Sequence, residues 1–205
     1  MTKLLRIDSS ARIFNSHSRN LADSFEKGWR AVHPNGEVCV RDIIEHPIAH
    51  VSNTTITGFY TPLDQLTPDL KDALKLSDEL ISELKSADVV LISAPIYNFS
   101  IPSALKAWID HIVRIGHTVS YDGKTFQGLL KGKKVYFCLA YGGEGYSEGP
   151  LLATDFLKPY LQTLFSFLGI TSMEFFVVEG ANANPGALAE KFKLAQEKIN
   201  KELAK

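Results

Sequence analysis

Five short apolar runs, each followed by a helical pattern or a return segment, constrain this 205-residue chain more than any other feature. The runs are KLLRID (3–8), EVCVRDI (37–43), DVVLISA (88–94), KVYFCLA (134–140) and SMEFFVVEG (172–180). The third and fourth lack polar–apolar alternation, as a strand covered on both faces should. SHSRNLADSFEKGWRAV (16–32) sets Leu21, Phe25, Trp29 and Val32 at helical spacing, with Ser16 or Ser18 as cap. TPDLKDALKLSDELISELKSA (67–87) opens a second helix on a Thr67 cap, with Pro68 in its first turn. PSALKAWIDHIVRIG (102–116) turns Leu105, Trp108, Ile109 and Ile112 inward and ends on Gly116. PLLATDFLKPYLQTLFSFLG (150–169) reads as one helix kinked at Pro159 and stopped by Gly169. NPGALAEKFKLAQEKINKEL (184–203) reads as a capped closing helix. Regular alternation of this kind predicts an α/β fold over a single domain, 1–205. Its centre is a five-stranded parallel sheet with helices on both faces. Residues 44–66 read as a long loop, a length that often carries function. HTVSYDGKTFQG (117–128) reads as a hairpin turning at Asp122-Gly123.

Ligands of such sheets bind beyond the carboxyl ends of the strands. Three loops leave those ends with distinctive composition. SSARIFNSHS (9–18) runs into a helix N-terminus, where free N–H groups, the helix dipole and serine hydroxyls favour a phosphate. The chain has no G-x-x-x-x-G-K-[ST] and no G-x-G-x-x-G after the first strand, so a mononucleotide's terminal phosphate is the better fit. The bland alternative is that these serines only cap the helix. In SAPIYNFSIP (93–102), Pro95 and Pro102 prevent continuation as a sheet interior. Tyr97 and Phe99 then offer apolar walls and Asn98 a donor–acceptor pair, a platform for a flat, polar-edged ligand. YGGEGYSEG (141–149) is glycine-rich, which lets backbone approach a ligand closely.

Other chemistries fare worse. The formal net charge is -1 and there is no basic tract, so nucleic acid is not an expected partner. No apolar run is long enough for a membrane span, and the N-terminus lacks a signal-peptide pattern. Cys39 and Cys138 lie in apolar runs and read as buried reduced thiols of a cytoplasmic protein. GYSEG (145–149) matches the serine-hydrolase elbow, but the strand ends near Ala140 and all six histidines precede Ser147. His46 and His50 are four apart with Pro47 between them and no third ligand at metal-site spacing, so no metal is expected.

The "SS…SHS" start, the "APIYNFSIPSALKAWID" stretch and the "GG" after the fourth strand resemble the FMN-dependent azoreductases, flavodoxin-like NAD(P)H:quinone oxidoreductases. The resemblance covers nearly the whole chain, including "LTP…LSDELISELK" and "LGIT". It implies a flavodoxin-like homodimer with one FMN per subunit at the dimer interface. It puts phosphate and ribityl contacts on Ser10, Ser16, His17 and Ser18. It puts isoalloxazine contacts on Ile96, Tyr97, Asn98, Phe99, Ala140, Tyr141, Gly142 and Gly143. Phe59, Tyr60, Tyr121 and Phe167 would line the substrate side, partly from the other subunit. His17, Ile96 and "AYGG" stand where glutamine, methionine and "SRGG" are common, changes that backbone-mediated contacts should survive. The implied reaction is ping-pong: NADH or NADPH gives hydride to the flavin N5 and leaves, and a quinone or azo compound takes its place. The flavin carries the chemistry, so no catalytic side chain is assigned. The competing expectation is a flavodoxin-like electron carrier without its own NAD(P)H turnover. A charge of -1 gives such a carrier little steering. The 44–66 and 117–130 segments look instead like walls of a substrate pocket.

Overall fold

The computed structural model describes residues 1–182 and 185–205. The first half of the chain builds β1 (Lys3–Asp8), α1 (His17–Val32), β2 (Glu37–Asp42), α2 (Asn53–Tyr60), α3 (Pro68–Ser86), β3 (Val89–Pro95) and α4 (Ser103–Ile112). The second half builds β4 (Val119–Tyr121), β5 (Phe126–Gly128), β6 (Lys134–Ala140), α5 (Lys158–Phe167), β7 (Ser172–Val178) and α6 (Pro185–Leu203). Five strands form one parallel sheet in the order β2-β1-β3-β6-β7, the expected architecture. β4 and β5 form the expected antiparallel hairpin. The order reverses direction between β1 and β3, and this switch point opens a crevice at the strands' carboxyl ends.

Period-two alternation sends neighbouring side chains of each strand to opposite faces. Leu4, Leu91, Tyr136, Cys138 and Phe176 meet Leu21, Phe25 and Trp29 of α1 and Ala195 and Ile199 of α6. Leu5, Ile7, Val90, Ile92, Phe137 and Leu139 face Leu80 and Leu84 of α3, Trp108 and Ile112 of α4, and Leu161 and Phe165 of α5. Each fully buried side chain of this size contributes about 1.5–3 kcal/mol, so both faces must be covered.

Four local expectations are corrected. Residues 44–66 are not all loop, because α2 lies within them. Ser52 Oγ accepts the Thr55 N–H at 3.1 Å, and Thr55 Oγ1 accepts the Ser52 N–H at 3.4 Å. Threonine fills the position usually held by Glu or Gln in such a cap, and β-branched residues hide the helix from propensity arguments. Pro159 does not kink a long helix. It sits in the first turn of α5, where its missing N–H has no partner to lose, after a 3-10 turn at Leu152–Thr154. α4 ends at Ile112 rather than Gly116, because the Thr118 hydroxyl donates to the Ile112 carbonyl at 2.6 Å and accepts the Arg114 N–H at 3.1 Å. Cys138 is fully buried, but Cys39 is only half-buried on the edge strand β2. Both are free thiols. The cap expected at the start of the closing helix, at Asn184, lies outside the described residues.

Candidate functional site

Beyond the carboxyl ends of β1, β3 and β6 lies a cleft of about 220 Å³. The first loop gives it Ser10, Ser16, His17 and Ser18, the second gives Ile96 and Tyr97, and the third gives Ala140 and Gly142. The cleft therefore unites predicted residues from all three loops.

The first loop is fixed from below. Ser9 Oγ donates to the Ser93 carbonyl at 2.7 Å, tying the loop to β3. The chain reverses at Asn15, φ +54°, and Ser16 then caps α1 by accepting the Arg19 N–H at 3.5 Å. Ser18 is fully buried, its hydroxyl 3.3 Å from that of Ser16. Among the described residues the His17 and Ser18 amides have no acceptor, as first-turn amides do not, and they lie at the positive end of α1. Under this loop is a buried ionic network that the sequence reading missed. Arg6 pairs with Asp8 at 2.9 Å, Asp23 at 2.7 Å and Glu26 at 3.0 Å. Arg19 pairs through both terminal nitrogens with Asp42 and donates to the Ser10 carbonyl at 3.0 Å. Burial opposes ionisation of Asp42, but Arg19 and the Ile44 and Glu45 amides outweigh it and hold the carboxyl below its ordinary value. The signal was present: Arg6 and Asp8 alternate with apolar neighbours and share the face of Leu4, so α1 had to bring countercharges.

The second loop is a two-residue hairpin. Tyr97 and Ser100 exchange N–H···O bonds of 3.0 Å in each direction. Asn98 and Phe99 between them have φ of +48° and +71°. Both central residues of this turn must be left-handed, which Asn tolerates and Phe resists. Two prolines and an asparagine thus make a rigid turn whose central amides, of Asn98 and Phe99, have no partner among the described residues. The Phe99 carbonyl accepts the Phe156 N–H at 2.9 Å. The side chains of Asn98 and Phe99 do not line the cleft. Asn98 lies on the adjoining groove with Lys106 and Tyr160.

The third loop is zipped to the segment after β7. Tyr141 N–H donates to Val178 at 2.9 Å, and the Tyr141, Gly142 and Gly143 carbonyls accept from Ala181, Asn182 and Gly180 at 3.0, 3.1 and 2.8 Å. The Gly142 and Gly143 amides stay unpaired among the described residues. A Cβ on Gly142 would come 2.7 Å from Asn182 Nδ2, so this wall is bare backbone. Ala181 and Asn182 also line the cleft, a fourth contribution that the sequence reading left out. The register of β7 on β6, Ala140 opposite Val178, puts that loop on the same edge. The Tyr141 side chain turns away from the cleft into the core, where its hydroxyl donates to Asp155 Oδ2 at 3.1 Å. Burial first, and then the Asp155 charge, push that hydroxyl far above its ordinary value.

Glu179, also unread in the sequence, anchors this loop. Its carboxylate accepts the amides of Gly145 at 2.8 Å, Tyr146 at 3.3 Å and Ser147. Burial opposes its ionisation, yet the Ser147, Gly145 and Tyr146 bonds prevail and its carboxyl titrates below the ordinary value. Such a group contributes stability above its unfolded value and loses it as pH falls through the lowered folded value. Glu179→Gln is expected to speed hydrogen exchange of the Gly145–Ser147 amides several-fold at neutral pH and to spare those of β3. Unchanged exchange would remove Glu179 from this role. Ser147 sits in this exposed loop rather than at a strand-to-helix turn, so the hydrolase-like match has no elbow geometry.

The four aromatics expected on the substrate side do not line the cleft within one chain. Phe59 lies under the buried Arg114 guanidinium, 4.9 Å from its ring centre. Tyr60 is exposed at the end of α2. Tyr121 stacks on Phe126 at 4.5 Å, and Phe126 contacts Phe167 at 5.7 Å. Phe126 was missed from the sequence, although the hairpin register pairs it with Tyr121. Among the described residues no three His, Cys, Asp or Glu side chains gather as a metal site, and no helix is long and apolar enough to cross a membrane.

A family model described as a flavodoxin-like fold matches residues 2–203. The chain is 53% identical over 175 residues to an FMN-dependent NADH:quinone oxidoreductase of Xanthobacter autotrophicus, covering 85% of this chain and 84% of the relative. It is 44% identical over 193 residues to a protein of the same name from Nostoc punctiforme, covering 93% and 94%. The crystal structure of an azoreductase from Bacillus anthracis superposes with a TM-score of 0.91 at 29% identity, over 99% of both chains.

Proposed function

The chain belongs to the flavodoxin-like family of FMN-dependent NADH:quinone oxidoreductases, and from that premise we propose that its cleft holds FMN and that the protein reduces quinones, and azo compounds, with NADH. One observation carries this reading. Each of the three loops presents a pair of backbone amides without a partner among the described residues: His17 and Ser18, Asn98 and Phe99, Gly142 and Gly143. This donor set suits a phosphate at the α1 end and the carbonyl-edged ring of a flavin at the other two loops. Ser10, Ser16, His17 and Ser18 would hold the phosphate and ribityl chain. Ile96, Tyr97, Asn98, Phe99, Ala140, Gly142 and Gly143 would hold the ring. Tyr141 would act from beneath, by fixing the end of β6 to Asp155. When bound, FMN supplies the two-electron chemistry that no side chain here provides. The chain's own part is to bind, orient and exclude water. Fixed amides beside the ring favour negative charge there without reorganisation.

In this proposal the chain is one domain and works as a homodimer. Tyr60, Tyr121, Phe126 and Phe167 are exposed aromatics outside the cleft. A second copy would cover them and turn Phe59, Tyr60, Tyr121 and Phe167 toward a shared substrate pocket. The free thiols agree with a cytoplasmic location. The test is turnover by the FMN-loaded protein with NADH, a soluble quinone and no other protein. The proposal expects turnover, with parallel double-reciprocal lines from one site used in turn. An electron carrier would give none.

The strained turn yields a prediction with two opposite signs. Phe99→Gly relieves a left-handed residue whose side chain is about half exposed, worth about 1 kcal/mol. The apo-protein is expected to melt roughly 2–4 °C higher while its FMN affinity falls. Calorimetry and a flavin titration check both. A lower melting temperature would mean that the ring's packing outweighs the strain.

A further inference from the structure

Arg12 stands apart from every other charge around the first loop. Arg6 is neutralised by Asp8, Asp23 and Glu26, and Arg19 by Asp42. Among the described residues the Arg12 guanidinium has neither an ion pair nor a hydrogen bond. Only its backbone N–H is engaged, by Ser10 Oγ at 3.3 Å. Arg12 lines the cleft beside Ser10, Ser16 and Ser18, and no carboxylate lines it among the described residues. It sits in an exposed stretch before the reversal at Asn15. Among the described residues this long cationic side chain has no partner, and it lines the same cleft as the positive end of α1. That arrangement lacks a doubly charged counter-ion of about one phosphate's size.

Resting on the FMN reading, we propose that Arg12 folds over the cofactor's phosphate and sharpens the site's selectivity for phosphorylated over unphosphorylated flavin. A guanidinium can take two phosphate oxygens in parallel hydrogen bonds, on the side opposite the helix amides. Serine hydroxyls and helix amides already favour a phosphate over riboflavin's terminal hydroxyl. Arg12 adds a full positive charge that widens the difference between the two ligands. His17, a second basic side chain among the described residues of the cleft, is on α1 itself and serves as the comparison.

The test is titration of apo-protein with FMN and, separately, riboflavin, read by quenching of flavin fluorescence. Arg12→Gln is expected to raise the Kd for FMN about tenfold, the loss of roughly 1.4 kcal/mol, and to leave the riboflavin Kd unchanged. Arg12→Lys should recover part of the difference. FMN affinity should fall with added salt more steeply for the wild-type protein than for Arg12→Gln. Equal weakening toward both flavins would make Arg12 structural and overturn the proposal, as would unchanged FMN binding in Arg12→Gln. If only His17→Gln loses the selectivity, the discriminating charge is on α1 and the proposal falls. Wild-type protein that binds neither flavin would overturn the cofactor reading itself, an outcome distinct from FMN binding that ignores Arg12.

Discussion

Replacing Arg19 with Met is expected to destabilise the protein by about 3 kcal/mol and to weaken FMN binding in the same variant. Methionine fills similar volume, so the loss is electrostatic rather than a cavity. Arg19 is about nine-tenths buried, and among the described residues it is the one side-chain cation paired to Asp42, through both terminal nitrogens. Without it Asp42 keeps the amides of Ile44 at 3.0 Å and Glu45 at 3.2 Å but no countercharge. Asp8 keeps Arg6 at 2.9 Å and the Ser93 hydroxyl, which donates to it at 2.6 Å. The Ser10 carbonyl also loses its 3.0 Å donor, and the loop above it loses its support. Stability and affinity should therefore fall together. The pH dependence has a definite sign. A carboxyl held below its ordinary value contributes stability above its unfolded value and loses it as pH falls through the folded value. The wild-type advantage over Arg19→Met should thus be complete at neutral pH and shrink as the solution is acidified below the ordinary aspartate range. Urea unfolding at two pH values measures it. A loss under 1 kcal/mol at neutral pH would show that the network does not hold the loop.

Gly128→Ala is expected to destabilise the protein at least as much, about 3 kcal/mol or more, for a steric reason. At the end of β5 the chain crosses the C-terminus of α5 with backbone against backbone. An alanine Cβ would lie 2.1 Å from Gly169 N and from Leu168 C. No rotamer relieves contact with main chain, so the hairpin must lift off α5. Lifting breaks the Leu130 N–H bond to the Leu168 carbonyl, now 2.9 Å, and separates Phe126 from Phe167. Because Tyr121 and Phe167 are proposed to form a substrate wall, KM for the quinone should rise in whatever fraction stays folded. Gly123→Ala is the control. It lies at the hairpin tip with φ +92° and open space around it, so it costs only about 1 kcal/mol of left-handed strain. Equal effects at the two positions would refute the close crossing.

The sheet was legible because burial on both faces writes unbroken apolar runs at β3 and β6, and no other fold class reads them so simply. The cleft was half legible. Loops betray themselves by serine, glycine and proline, and the paired unpartnered amides fall on those loops. Arg12, Asn182 and Glu179 were not legible, because an exposed arginine, an asparagine in a turn and a glutamate after a strand are ordinary surface residues until topology brings them together. Tyr141 misled for the converse reason. Position along a loop does not say which way a side chain turns, and Asp155, fourteen residues on, decides it. α2 escaped because its cap uses threonine and its apolar face is short. Pro159 was misplaced because proline breaks a helix interior but begins a helix equally well, and only the 3-10 turn before it distinguishes the two.

The central claim is that these three loops hold FMN and expose it to NADH and to a quinone in turn. The most direct measurement is the visible spectrum of the FMN-loaded protein without oxygen, as NADH is added and a quinone follows. The account predicts that the flavin band bleaches promptly on addition of NADH and returns on addition of quinone. A bound flavin that NADH leaves coloured would contradict it and favour an electron carrier, and protein that binds no flavin would contradict the site itself.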